Sequence, residues 1–152
     1  MLAEVGEEAP VFTLPSDSWD EKISLEDATG EGPLVLFFYP GDWSSVCTDQ
    51  LGRVQAGIGK FEERGARVLA ISADTPWSHR ARAEEQDIEF PLLSDLERGA
   101  IDRYGVRHEN GFPERAYFVI DREGTIRARR VENTPKGQPD LEAVLTDLDE
   151  AL

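Results

Sequence analysis

The sequence contains one cysteine, Cys47, in 152 residues. A single thiol excludes an intrachain disulfide and a cysteine-rich metal site. Histidine is almost as scarce. His79 and His108 form no metal-ligand spacing such as His-x-x-x-His, and each is expected at a surface or capping position. No metal and no cofactor is therefore expected. Lysine occurs only at Lys22, Lys60 and Lys136, and 16 basic residues stand against 31 acidic ones, a formal net charge of −15. Such a surface repels nucleic acid and anionic membranes, so neither is expected as a partner. No apolar run approaches the roughly 20 residues that span a bilayer. Met1 to Glu8 is acidic and lacks the basic-then-apolar layout of a signal peptide, which makes a cytoplasmic location the expectation.

What is present is an ordinary globular composition, 39% hydrophobic and 31% charged, in a length suited to one domain spanning residues 1–152. The acidic residues are spread along the whole chain. That pattern is similar to proteins of salt-accumulating halophiles, in which salt screens the self-repulsion; an ordinary acidic cytosolic protein is the other reading.

The chain is organised around Tyr39-Pro40-Gly41-Asp42-Trp43-Ser44-Ser45-Val46-Cys47-Thr48-Asp49-Gln50. Upstream lies its most apolar run, Leu34 to Tyr39, which suits a central strand covered on both faces. Downstream, Cys47, Leu51, Val54, Ile58 and Phe61 recur at steps of four, three, four and three, one face of a helix starting near Ser44. Gly57 and Gly59 weaken its middle. A strand that turns through Pro-Gly into a helix delivers Cys47 to the helix N-terminus. Unpaired N–H groups and the helix dipole favour negative charge there, and hence the reactive thiolate. The same spacing puts Cys47 on the buried face, where free cysteine is often a small core residue. Spacing alone leaves both readings open.

Elsewhere, Val11 to Leu14 reads as a short strand, and Ser24 with Asp27 as a helix start. Val68 to Ser72 and Phe90 to Leu93 read as strands, Trp77 to Gln86 and Gly99 to Tyr104 as helices. Ala116 to Ile120 and Thr125 to Val131 form a hairpin about Asp121-Arg122-Glu123-Gly124. Asn133 to Gln138 is a loop, and a last helix from Pro139 presents Leu141, Val144, Leu145, Leu148 and Leu152 on one face. Alternating strands and helices followed by a hairpin and a helix predict an α/β fold with a central mixed sheet flanked by helices.

These elements and the residues on them resemble the thioredoxin fold and, within it, the peroxiredoxin family. Pro40, Ser44 and Cys47 match the family pattern Pro-x-x-x-(Thr/Ser)-x-x-Cys. Gly6 to Leu14, Phe90 to Asp95, Tyr104-Gly105-Val106 and Arg115 to Asp121 are similar to its other landmarks. The resemblance implies a peroxidase acting on hydrogen peroxide or organic hydroperoxides, with Cys47 oxidised to a sulfenic acid. It implies that Arg115 activates the thiolate and holds the peroxide, and that Ser44 and the backbone N–H groups around Val46 and Cys47 bind the substrate oxygen. Pro40 would shield the sulfur and Gln50 would orient the arginine. It also implies a homodimer. Taken singly, Arg115 could be a surface arginine, Ser44 an N-cap and Pro40 a turn residue.

Because no second cysteine is present and position 52 is Gly, the resemblance is to one-cysteine peroxiredoxins of the alkyl hydroperoxide reductase E and bacterioferritin comigratory protein groups. Such a site is reset by an external thiol or a thioredoxin- or glutaredoxin-like reductant. Ser78-His79 is followed by Arg80 rather than an aromatic residue, so Trp43 and Phe112 are the candidates to line the pocket or a dimer contact. Two alternatives compete. A thioredoxin-type thiol-disulfide oxidoreductase is disfavoured because Ser44 stands where a Cys-x-x-Cys motif has its first cysteine, whereas a non-catalytic peroxide sensor or signalling scaffold is left open.

Overall fold

Residues 3–132 and 140–152 are described in a computed structural model of the chain. The elements in order are β1 Thr13–Pro15, β2 Lys22–Ser24, α1 Leu25–Thr29, β3 Leu34–Phe38, α2 Ser45–Ala56, α3 Ile58–Glu62, β4 Arg67–Ser72, α4 Pro76–Gln86, β5 Leu92–Ser94, α5 Gly99–Arg103, β6 Ala116–Ile120, β7 Ile126–Val131 and α6 Leu141–Glu150. The five-stranded sheet runs β5-β4-β3-β6-β7. β3 pairs parallel with β4, and β4 with β5. β6 is antiparallel to β3, and β7 to β6, as the expected mixed sheet requires.

β3 sits at the centre and every one of its residues is buried. Because side chains alternate along a strand, Leu34, Leu36 and Phe38 join the core on one face with Ile101 and Tyr104 of the α5 region. Val35, Phe37 and then Tyr39 join the other, with Cys47, Leu51 and Val54 of α2 and Val144 and Leu148 of α6. The stretch that leads to Cys47 thus leaves the sheet on the α2/α6 face.

Local signals hold where the sequence made them strong. Ser24 and Asp27 form a reciprocal capping box at α1. The long helix breaks at Gly57 into α2 and α3. Gly124 closes the β6–β7 turn at φ +88°, while Asp121 accepts from the N–H groups of Glu123 and Thr125.

Three expectations are corrected. Val11 is 71% exposed and outside any strand; the strand starts at Thr13 and pairs with β2, a three-residue segment too short to show a period. Leu152 is 65% exposed, because α6 ends at Glu150 and the stripe ends at Leu148. His79 is neither at the surface nor a cap but fully buried. The loop expected over Asn133 to Gln138 and the helix start at Pro139 lie outside the described residues; Asp140 caps α6 by accepting from the Glu142 N–H at 3.2 Å. Among the described residues no helix is long and apolar enough to cross a membrane.

Candidate active site

Ser44 is the N-cap of α2, in extended conformation, and its Oγ accepts from the Cys47 N–H at 3.4 Å. Cys47 is therefore the third helical residue, among the N–H groups that an α-helix leaves without an intrahelical acceptor. Its side chain is fully buried. Val46 beside it is half-buried, as are Ser44 and Pro40.

Arg115 reaches the sulfur from the sheet. Phe38 and Ala116 are register partners on β3 and β6, so Arg115, one residue before β6, lies beside the segment that leaves β3. Arg115 is 2% exposed. Its Nη1 donates to Cys47 Sγ at 3.1 Å and to Gln50 Oε1 at 2.6 Å. Gln50, one turn after Cys47, is also buried. Three of the residues singled out in the sequence, Cys47, Gln50 and Arg115, are thus in direct contact. Ser44 is bonded to the backbone of the first, and Pro40 and Val46 flank them in the chain. The guanidinium thus places a charged donor directly against the sulfur.

A second polar cluster holds this loop, and the sequence reading missed it. Tyr39 Oη donates to Asp42 Oδ1 at 2.6 Å. His79 Nδ1 lies 2.8 Å from Asp42 Oδ2, and Ser78 Oγ donates to the same oxygen at 2.7 Å. The Asp42 N–H donates to Asp74 Oδ2 at 2.8 Å. Burial alone would raise the Asp42 pKa, but the hydrogen bonds and charge of His79, with those of Tyr39 and Ser78, outweigh it and hold the carboxyl below its ordinary value. Burial first, and the Asp42 carboxylate second, push Tyr39 well above its ordinary range, so the phenol stays protonated and donates.

Arg82 extends the clamp. It is 4% exposed, and its Nη1 donates to Thr48 Oγ1 at 2.8 Å and to the Asp42 carbonyl at 3.3 Å. Its guanidinium lies 4.4 Å from the Trp43 ring centroid, and Trp43 Nε1 donates to Ser78 Oγ at 2.9 Å. Gln86 Nε2 donates to the Thr48 carbonyl at 2.8 Å. Trp43 itself is 56% exposed, while Phe112 stacks on His108 with centroids 4.3 Å apart. The signal for this cluster was His79, Arg82 and Gln86 at steps of three and four, a polar face on α4 that packs inward. Asp42, Asp74 and His79 have the donor types of a metal site. Their oxygens and Nδ1 are already engaged with one another and with Tyr39, Ser72 and Ser78, which fits a hydrogen-bond network.

The sequence profile of the AhpC/TSA family matches residues 5–129. The chain belongs to this family, the peroxiredoxins. It is 34% identical over 155 residues to a chloroplastic 2-cysteine peroxiredoxin of Chattonella marina var. antiqua, covering 96% of this chain and 80% of that protein. It is 35% identical over 129 residues to alkyl hydroperoxide reductase E of Mycobacterium tuberculosis, covering 83% and 84%. The crystal structure of reduced 2-Cys peroxiredoxin from Plasmodium vivax superposes with a TM-score of 0.88 at 25% identity, over 95% of this chain and 80% of that one. The fold is thioredoxin-like, and this peroxiredoxin is a thiol-dependent peroxidase. Its single cysteine fits the one-cysteine type.

Proposed function

We propose that Cys47 attacks one oxygen of hydrogen peroxide or an organic hydroperoxide as the thiolate. A sulfur–oxygen bond forms and the oxygen–oxygen bond breaks. The distal oxygen leaves as hydroxide or alkoxide and takes up a proton, and Cys47 becomes the sulfenic acid. Arg115 stabilises the thiolate and the charge that develops on the peroxide oxygens. Ser44 Oγ and the N–H groups of Val46 and Cys47 bind the substrate oxygen. Gln50 fixes the arginine, and Pro40 keeps water from the sulfur. The observation that carries this reading is the single Arg115 nitrogen bonded to both Cys47 Sγ and Gln50 Oε1.

Within these 152 residues no second thiol is available to resolve the sulfenic acid. An external thiol attacks the sulfenic sulfur, releasing water and leaving a mixed disulfide, which a second thiol reduces. The reductant is a low-molecular-weight thiol or a thioredoxin- or glutaredoxin-like protein. We further propose a single domain over residues 1–152, a cytoplasmic location in a salt-accumulating organism, and a homodimer; the exposed Trp43 and Trp77 fit a dimer contact.

Stopped-flow oxidation of the reduced chain by hydrogen peroxide, with the sulfenic acid trapped and weighed by mass spectrometry, tests the reading. Oxidation far faster than that of free cysteine is expected, with turnover when a thiol is supplied. A rate equal to free cysteine would refute it, and a single reaction without turnover would favour the sensor alternative.

A further inference from the structure

α4 carries a buried cation that the peroxide chemistry leaves unused. Arg82 is 4% exposed, while its carboxylate partner, Glu85 at 3.2 Å, has a side chain 62% exposed. Arg82 Nε has no hydrogen-bond partner among the described residues. A guanidinium buried on these terms contributes little to stability, since an apolar side chain of similar volume often serves as well. What Arg82 does hold is the turn that carries Cys47.

Thr48 follows Cys47 in the chain. Its hydroxyl donates to the Ser44 carbonyl at 3.0 Å and accepts from Arg82 Nη1 at 2.8 Å. Ser44 in turn accepts, through Oγ, from the Cys47 N–H. The same Arg82 nitrogen donates to the Asp42 carbonyl at 3.3 Å, so one guanidinium ties the loop before the cap to the helix after it. Gln86, one turn further along α4, donates to the Thr48 carbonyl at 2.8 Å. Thr48 and Gln50 point roughly 200° apart around α2. The first turn is therefore gripped from two sides, by Arg115 through Gln50 and by Arg82 through Thr48.

We propose that Arg82 is a positioning residue for peroxide reduction. The role rests on the proposed attack of Cys47 on the peroxide. Arg82 contacts Thr48, the Asp42 carbonyl, Glu85 and the Trp43 ring rather than the sulfur. By fixing Thr48 against Asp42 it fixes the Ser44 cap, and with it the direction in which Cys47 Sγ and the first-turn N–H groups meet the substrate. Displacing a reacting atom by about 1 Å can cost on the order of 10²-fold in rate, so a clamp that never touches the peroxide still governs the reaction.

Stopped-flow oxidation by hydrogen peroxide across pH, set beside urea unfolding, tests the proposal. Arg82→Met keeps an unbranched side chain and removes its donors. It is expected to lower the oxidation rate about tenfold or more, including on the high-pH plateau where the thiol is ionised in both proteins, while moving the urea midpoint little. Thr48→Val removes the receiving hydroxyl at constant shape and should lower the plateau similarly. Adding Arg82→Met to it should change the rate no further. Arg80→Met, the same change at an exposed position of α4, is the control and should leave the rate unchanged. An unchanged plateau in Arg82→Met would overturn the proposal. So would a loss confined to low pH, which would make Arg82 a source of charge, or independent, multiplying effects of the two substitutions. If Arg82→Met does not fold, the Thr48→Val plateau decides alone. An unsubstituted chain oxidised no faster than free cysteine would instead refute the role of Cys47 on which the proposal rests.

Discussion

The Asp42 carboxylate and the His79 imidazole are both fully buried, with Oδ2 and Nδ1 2.8 Å apart. The other ring nitrogen, Nε2, lies 2.9 Å from the Leu93 carbonyl oxygen, which can only accept. Both ring nitrogens therefore face acceptors, the Asp42 carboxylate and the Leu93 carbonyl. The pair joins the active-site loop to α4 and, through Leu93, to β5.

Removing one partner of a buried pair strands the other charge, at a cost of about 3–5 kcal/mol. His79→Ala is expected to destabilise the chain by that order in urea unfolding. The double variant Asp42→Asn, His79→Ala should lose less than the sum of the single losses. Additive losses would mean that the two side chains act independently.

Arg115→Ala should slow oxidation of Cys47 by about 10²-fold or more, the scale of losing an aligned donor to developing charge. Gln50→Leu should cost less, because in the proposed mechanism Gln50 touches Arg115 and not the peroxide. In the Arg115→Ala background Gln50→Leu should add nothing further. Stopped-flow rates of the two single variants and the double variant make the comparison.

The Asp42 carboxyl titrates below its unfolded value of about 3.9. Its contribution to stability is thus fully present above about pH 4 and is lost as pH falls through the lower native value. Thermal midpoints measured from pH 6 downward should drop in this window, and Asp42→Asn should flatten the drop. An unchanged slope would assign acid unfolding to other carboxylates.

With a net charge of −15, repulsion among surface carboxylates should be screened by salt. The thermal midpoint is expected to rise between low and molar potassium chloride. A flat response would count against adaptation to high internal salt.

The sheet and the helix carrying Cys47 were legible because their signals are local. β3 is an unbroken apolar run, Ser44 is a cap residue, and the apolar stripe of α2 has a helical period. The contact of Arg115 with Cys47 was accessible only through the family pattern. Its cause is the pairing of β3 with β6 across 78 to 86 residues, and no local spacing encodes it. The Asp42–His79–Arg82 cluster was hidden for another reason. Charged and polar residues at helical spacing look the same whether they face water or a buried partner, and Asp42 lies far from α4 in the chain. β2 was missed because three residues carry no readable alternation.

The β3–β6 pairing that brings Arg115 to the sulfur also sets when the enzyme becomes competent. A one-residue slip in that ladder would turn the Arg115 side chain to the opposite face of the sheet. The pairing closes a long stretch of chain, a slow class of contact, whereas α2 can form locally and fast. During refolding, helical circular dichroism should therefore recover before peroxidase activity. A newly made chain would carry Cys47 on a formed helix before Arg115, its proposed activator, has arrived.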